Sequence, residues 1–135
     1  MMPSGRVVVS SGSPWEPLVG YSRAVRAGSF IAVAGTTGTD AEGRVVAPGD
    51  LVTQTRVALE KIERALEQVG AKMSDVIRTR IYLTDIARWE VVGRVHGEVF
   101  GEIRPASTMV EVRALISPEI HVEIEADAID LRSHA

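Results

Sequence analysis

The sequence predicts an α+β fold in which two helices pack on one face of a single β-sheet. Three observations lead there. Thr55, Ala58, Leu59, Ile62, Ala65, Leu66 and Val69 recur at helical spacing. The stretches 105–112 and 121–128 alternate apolar and non-apolar side chains with a period of two, the mark of strands with one buried face. The order is strands, helix, strand, helix, two strands, so a strand follows each helix; this favours crossover units that lay both helices on the same side.

Each element has its own local cause. Ser10 to Pro17 is rich in turn residues and reads as a surface loop. Tyr21 to Arg26 and Phe30 to Ala34 are short strand-like runs around Ala27-Gly28-Ser29, a hairpin pattern. Gly35 to Gly43 interrupts that pattern with a second loop. Asp50 can cap the first helix by accepting from its unpaired first-turn amides, and Gly70 stops it. In the next strand Ile77, Thr79, Ile81 and Leu83 fall on one side, and Arg78, Arg80 and Tyr82 on the other. Asp85 can cap a second helix running to about Phe100, closed by Gly101, with Trp89, Val92, His96, Val99 and Phe100 as its apolar face. Gly93 and Gly97 each weaken that helix by about 1 kcal/mol relative to alanine, which fits either close backbone packing or a weak helix. In the 105–112 strand Val110 and Val112 are expected on the core face, leaving Ser107, Met109, Glu111 and Arg113 opposite. In the last strand Val122, Ile124, Ala126 and Ala128 face inward, and His121, Glu123, Glu125 and Asp127 share the other face.

Composition narrows the classes. The 135 residues amount to one domain, 1–135, with 45% apolar and 24% charged residues, both near globular averages. No run of 18 apolar residues is present, so no membrane association is expected. The N-terminal Met1 to Arg6 leads into only Val7-Val8-Val9, short of a secretion signal. Without cysteine the chain has neither disulfide nor thiol nucleophile, and a cytoplasmic location is expected. A net charge of −3 offers nucleic acid no broad attraction.

The chemical motifs are few. His96, His121 and His134 lack paired ligand spacing, so no metal site is expected, and His96 reads as a packed helix histidine. Gly35-Thr36-Thr37-Gly38 has no P-loop ending and reads as a turn. No Gly-x-Ser-x-Gly elbow is present. Glu123 and Glu125 share a strand face and can hold a water for general acid–base work. The competing reading pairs Glu125 and Asp127 with Arg78 and Arg80 across the sheet. Opposite charges beside Met109 and Tyr82 on an otherwise open face suggest cover by a second subunit.

Arg80-Ile81-Tyr82-Leu83-Thr84-Asp85, Val99-Phe100-Gly101, Pro105-Ala106 followed by Val110-Glu111-Val112, and Val122-Glu123-Ile124-Glu125-Ala126 together resemble the RidA (YjgF, endoribonuclease L-PSP) superfamily. Tyr21 and Ala34-Gly35 also match, and the resemblance covers nearly the whole chain. It implies a chorismate-mutase-like subunit with two helices on one mixed sheet, assembled as a homotrimer with small-molecule clefts between subunits. It implies cofactor-independent hydrolysis of 2-imino acids and their enamine tautomers. Glu123 corresponds to the catalytic, water-holding glutamate, and Tyr21, Gly35, Ser107, Thr108 and Met109 to positions around the ligand.

The departures restrict that expectation. Ser107 stands where active imine deaminases carry an arginine that clamps the substrate carboxylate, Met109 replaces a small residue, and Gly93 replaces a common asparagine. Each charge-assisted hydrogen bond lost costs about 1.5–3 kcal/mol. Arg104 has the wrong strand parity to substitute, and Arg113 lies about 20 Å along by strand rise. The leading expectation is therefore a trimer that hydrolyses imine, enamine or related amino-bearing metabolites, outside the typical 2-imino acid deaminases. A non-enzymatic small-molecule-binding or regulatory module is the first alternative. An endoribonuclease or translation inhibitor is the second, weakened by the acidic balance and the lack of an aromatic–basic strip.

Overall fold

The computed structural model describes residues 5–132. Its elements are β1 (Arg6–Val9), α1 (Trp15–Val19), β2 (Ala24–Ala27), β3 (Phe30–Thr37), α2 (Leu51–Gln68), β4 (Val76–Leu83), α3 (Trp89–Phe100), β5 (Ala106–Glu111) and β6 (Val122–Ile129). One six-stranded sheet runs in the order β1-β2-β3-β6-β4-β5. Strand β6 is antiparallel to both β3 and β4, while β4 and β5 are parallel. The sheet is therefore mixed. β3–α2–β4 and β4–α3–β5 are both crossovers between parallel strands, as the element order predicts.

The strongest local signals form as expected. The Asp50 carboxylate accepts from the Thr53 amide at 3.1 Å and from its hydroxyl at 2.8 Å. After α2 the chain turns at Gly70, whose φ of 81° lies in the left-handed region that glycine enters without a Cβ clash. Ala58, Leu59, Ile62, Ala65 and Leu66 are buried against β3 and β6, and Val122, Ile124, Ala126 and Ala128 meet them from the sheet. The β2–β3 hairpin turns through Gly28 and Ser29, with Ala27 opposite Phe30.

Several expectations are corrected. The loop expected from Ser10 to Pro17 gives way at Trp15 to the short helix α1, and the strand β1 precedes it. β3 continues through Gly35 to Thr37 instead of ending at Ala34. Ile77 is exposed, not inward: Val76 pairs with Ala128 and Arg78 with Asp127, so Ile77 is an extra residue in a bulge and Val76 takes the core position. In β5 the parity is inverted. Ser107 is paired with Thr79 and Met109 with Ile81, so both share the core face of β4, and Met109 packs on the core. Val110, beside Tyr82, is 42% exposed. Asp85 caps a 3₁₀ turn, Ile86–Arg88, by accepting from the Ala87 amide, and α3 follows. The buried stripe of α3 is Val92, Val95 and Phe100, whereas Trp89 and Val99 are exposed. No close backbone approach explains its glycines: a Cβ at Gly97 would meet nothing within 4 Å, and one at Gly93 only the Trp89 ring at 3.7 Å. His134 lies outside the described residues. Among those residues, no helix is long and apolar enough to cross a membrane.

The bulge makes a direct prediction. Ile81→Ala should cost about 2–5 kcal/mol in chemical denaturation, as a fully buried isoleucine does. Ile77→Ala should stay within about 0.5 kcal/mol of the parent. Comparable losses at both positions would contradict the bulge.

Candidate functional site

The site forms where β3 breaks. Val33 pairs with Ala126 but Thr36 pairs with Ile124, so the ladder is irregular across Ala34 and Gly35. Glu123, opposite Thr37 on β3 and Tyr82 on β4, turns its carboxylate toward this break. A Cβ built on Gly35 would lie 1.9 Å from Glu123 Oε2, so Glu123 keeps its place only because residue 35 has no side chain.

Arg23 holds the break in position. Its side chain is buried, and Nη1 donates to the carbonyls of Ala34 at 3.3 Å and Gly35 at 2.6 Å and to Thr36 Oγ1 at 2.9 Å. Nη2 reaches the Tyr21 hydroxyl at 3.4 Å, while buried Nε has no hydrogen-bond partner among the described residues and lies 3.9 Å from Glu16 Oε2. Glu16 is itself fixed by the amide and hydroxyl of Ser11. The irregular segment before β2 is thus tied to the guanidinium.

Tyr21, Arg23, Gly35 and Glu123 line one cavity of about 450 Å³, together with Trp15, Thr37, Thr39, Lys61, Arg64 and Ile116 among others. Lys61 reaches it from α2, and Nζ donates to the Thr37 carbonyl at 2.9 Å, the Thr39 carbonyl at 3.0 Å and Thr39 Oγ1 at 2.9 Å. Burial pulls Lys61 down to about 8, with repulsion from Arg23 and Arg64 acting the same way. With three acceptors around it the amine is an ammonium at neutral pH. Burial also pushes Glu123 up from the ordinary 4.5; Glu125 adds to this and Arg23 opposes it. The arrangement sets two carboxylates, Glu123 and Asp40, and three cationic side chains, Arg23, Lys61 and Arg64, around one cavity.

The residues singled out from sequence divide into two groups. Tyr21, Gly35 and Glu123 come together in the cavity. Ser107, Thr108 and Met109 lie on β5, separated from β6 by β4, and none of them lines the cavity. Ser107 and Met109 also face the helix side. Arg104 is exposed, with a φ of 54°, and is not among the cavity-lining residues. The proposed Glu125–arginine pairing is replaced by a 2.7 Å hydrogen bond from the Tyr82 hydroxyl, while Arg80 pairs with Asp127 at 3.1 Å. Sequence reasoning missed Arg23, Lys61 and Arg64. Arg23 is only two residues from Tyr21, but nothing local signals a buried guanidinium. Lys61 and Arg64 border the apolar stripe of α2, where solvated charges are ordinary. Among the described residues no group of three or more acidic or histidine side chains could hold a metal.

The raised Glu123 has a pH signature. Its native carboxyl stays protonated above the pH at which the unfolded one ionises, so its contribution to stability is lost as pH rises through the native value. Glu123→Gln should therefore raise Tm relative to the parent at pH 7, and the gain should vanish below about pH 4. An equal effect at both values would contradict the burial. For Lys61 the sign is reversed: from about pH 8 to 10.5 the unfolded chain binds more protons. The parent should gain stability across that window relative to Lys61→Met, as thermal melts would show.

A family model for endoribonuclease L-PSP matches residues 8–130. The chain is 57% identical to a Mycobacterium tuberculosis protein of the YjgF/YER057c/UK114 family, whose crystal structure superposes with a TM-score of 0.85 over 93% of this chain and 99% of that one. It is 34% identical to the 3-aminoacrylate deaminase RutC of Acinetobacter baylyi, over 90% of this chain and 95% of that protein. TdcF of E. coli, solved with bound serine, is 25% identical with a TM-score of 0.74 over 82% of this chain and 87% of that one. With its mixed sheet, its crossover helices and this match along nearly its whole length, the chain belongs to the endoribonuclease L-PSP family of the RidA/YjgF superfamily.

Proposed function

We propose that this protein hydrolyses an imine or enamine to a carbonyl compound and ammonia, with Glu123 as the catalytic residue. The observation that carries this reading is the Glu123 carboxylate, half-buried in the cavity with its pKa raised. A base whose pKa is raised toward neutrality can take a proton and return it. An enamine first tautomerises to the imine by moving a proton from nitrogen to carbon. Water adds to the C=N carbon as Glu123 accepts one of its protons and returns it to the nitrogen, giving a carbinolamine. The carbinolamine hydroxyl proton then passes to the nitrogen, the C–N bond breaks, and ammonia leaves as the carbonyl forms. No organic cofactor or metal enters this scheme.

The reading includes a homotrimer with clefts between subunits and a cytoplasmic setting. The polar sheet face supports it: α2 and α3 pack on the other face, and the Arg80–Asp127 and Tyr82–Glu125 contacts lie on a surface suited to a neighbour. In a trimer the β5 edge of one subunit meets the Glu123 cavity of the next. Ser107, Thr108 and Met109 would then join Tyr21 and Gly35 around one ligand.

Charge guides the choice of substrate. Arg23, Lys61 and Arg64 favour a ligand bearing a negative group. Ser107 supplies no cation, so that group sits away from the position taken in 2-imino acids. 3-Aminoacrylate, the substrate named for the Acinetobacter relative, has this character. Loss of the arginine at 107 also favours a second reading, a ligand-binding module without turnover.

The two readings separate in an assay with freshly generated 3-aminoacrylate and dehydratase-generated 2-iminopropanoate, following the oxo products. The parent should accelerate the first more than the second, and Glu123→Gln should lower kcat at least about 100-fold. Rapid 2-iminopropanoate turnover that survives Glu123→Gln would refute the assignment. Binding of either compound without turnover would favour the module.

A further inference from the structure

The three cations around the cavity differ in how many of their protons are already committed. Lys61 gives its three protons to the carbonyls of Thr37 and Thr39 and to Thr39 Oγ1. Arg23 is buried, and its Nη1 serves the carbonyls of Ala34 and Gly35 and the Thr36 hydroxyl. Both hold the protein's own chain. Arg64 is exposed, lines the same cavity, and makes neither hydrogen bond nor ion pair among the described residues. Its guanidinium keeps all five donors.

A helix arginine is ordinarily a solvated charge or half of an ion pair along its own helix. Glu60 stands four residues before Arg64 and Glu67 three after it, the spacing at which such pairs form. Arg64 pairs with neither, whereas Glu90 and Arg94 at the same spacing on α3 do pair. The cavity's carboxylates do not answer Arg64 either. Asp40 is committed to the amides of Glu42 and Arg44 and to Arg44 Nε, and Glu123 is shifted toward its neutral form. Beyond its burial, Lys61 is disfavoured as a cation by Arg23 and Arg64, which is the mark of positive charge left uncompensated.

Place on the helix separates Arg64 from the reacting centre. Lys61 bonds the carbonyl of Thr37, the residue paired with Glu123 across β3 and β6. Arg64 lies about 4.5 Å further along α2 by helical rise. Gln68, four residues beyond, also lines the cavity, and its side chain has no hydrogen-bond partner among the described residues.

We propose that Arg64, with Gln68 beside it, is a specificity-determining residue that binds a carboxylate carried on the tail of the ligand, away from the carbon that reacts at Glu123. This deepens the hydrolase reading and rests on Glu123 marking the reacting end. A guanidinium with free donors takes both oxygens of a carboxylate in a fork. The cation missing at position 107 is thus replaced by one on a different wall, and the preferred substrate class shifts from 2-imino acids to imines or enamines whose acid group is separated from the C–N carbon.

Calorimetry with unreactive oxo compounds tests this whether or not the protein turns an imine over. 4-Oxopentanoate and 2-oxopentanoate are isomers with the carboxylate remote from the carbonyl or next to it, and methyl 4-oxopentanoate removes the charge. The parent should bind 4-oxopentanoate about 5- to 10-fold more tightly than either other compound. Arg64→Gln should abolish that preference, Arg64→Lys should keep part of it, and Glu123→Gln should leave it intact. Arg64 is exposed, so both of its variants should melt like the parent. Equal affinity for the two isomers, a preference that survives Arg64→Gln, or no binding of either isomer would overturn the proposal. Absence of 3-aminoacrylate turnover with the binding preference intact would instead refute the hydrolase reading and leave the carboxylate subsite standing.

Discussion

The Arg23 guanidinium is the interaction on which the site depends. A regular β3 would pair evenly with β6 along its length. Instead, Ala34, Gly35 and Thr36 turn two carbonyls and a hydroxyl onto one buried cation. A buried guanidinium is costly unless its protons find acceptors, and a broken ladder is costly unless its carbonyls find donors. Arg23 Nη1 and the break satisfy each other, while the buried Nε is left without a hydrogen-bond partner among the described residues. The break brings Gly35 against Glu123, and the absence of a Cβ gives the carboxylate its space.

Around that centre the electrostatics are asymmetric. Glu123 is disfavoured as an anion by burial and by Glu125, and is held in check by Arg23. Lys61 is disfavoured as a cation by burial, yet its ammonium is held by the backbone and hydroxyl oxygens of Thr37 and Thr39. The cavity therefore holds two groups, Glu123 and Lys61, that burial shifts toward their neutral forms, between an anchoring strand break and a helix wall. Such pairs of displaced groups are common where proton transfer is part of function.

What the sequence made legible was local. Asp50 and Gly70 bracket α2, and the strict alternation of β6 assigns Glu123 to the face opposite Val122 and Ile124, because both signals depend only on neighbours in the chain. The β5 parity was not legible. Val110 and Val112 look like core residues by their apolarity, but the face of an edge strand is decided by its partner, and pairing with β4 turns Ser107 and Met109 inward. Ile77 is misleading for a related reason: one bulged residue reverses parity, and an isoleucine offers no warning. Arg23 escaped notice because its acceptors lie 11 to 13 residues further along. The resemblance supplied Tyr21, Gly35 and Glu123 as a set, while the cationic wall emerged only from the folded geometry.

The central claim is that residue 35 must be glycine because Glu123 occupies its side-chain space. A double-mutant cycle in chemical denaturation tests it most directly, using Gly35→Ala, Glu123→Ala and the pair. The account predicts that Gly35→Ala is more destabilising in the parent than once Glu123 is truncated, giving a coupling of at least about 1 kcal/mol. Effects that add to within about 0.3–0.5 kcal/mol would contradict it.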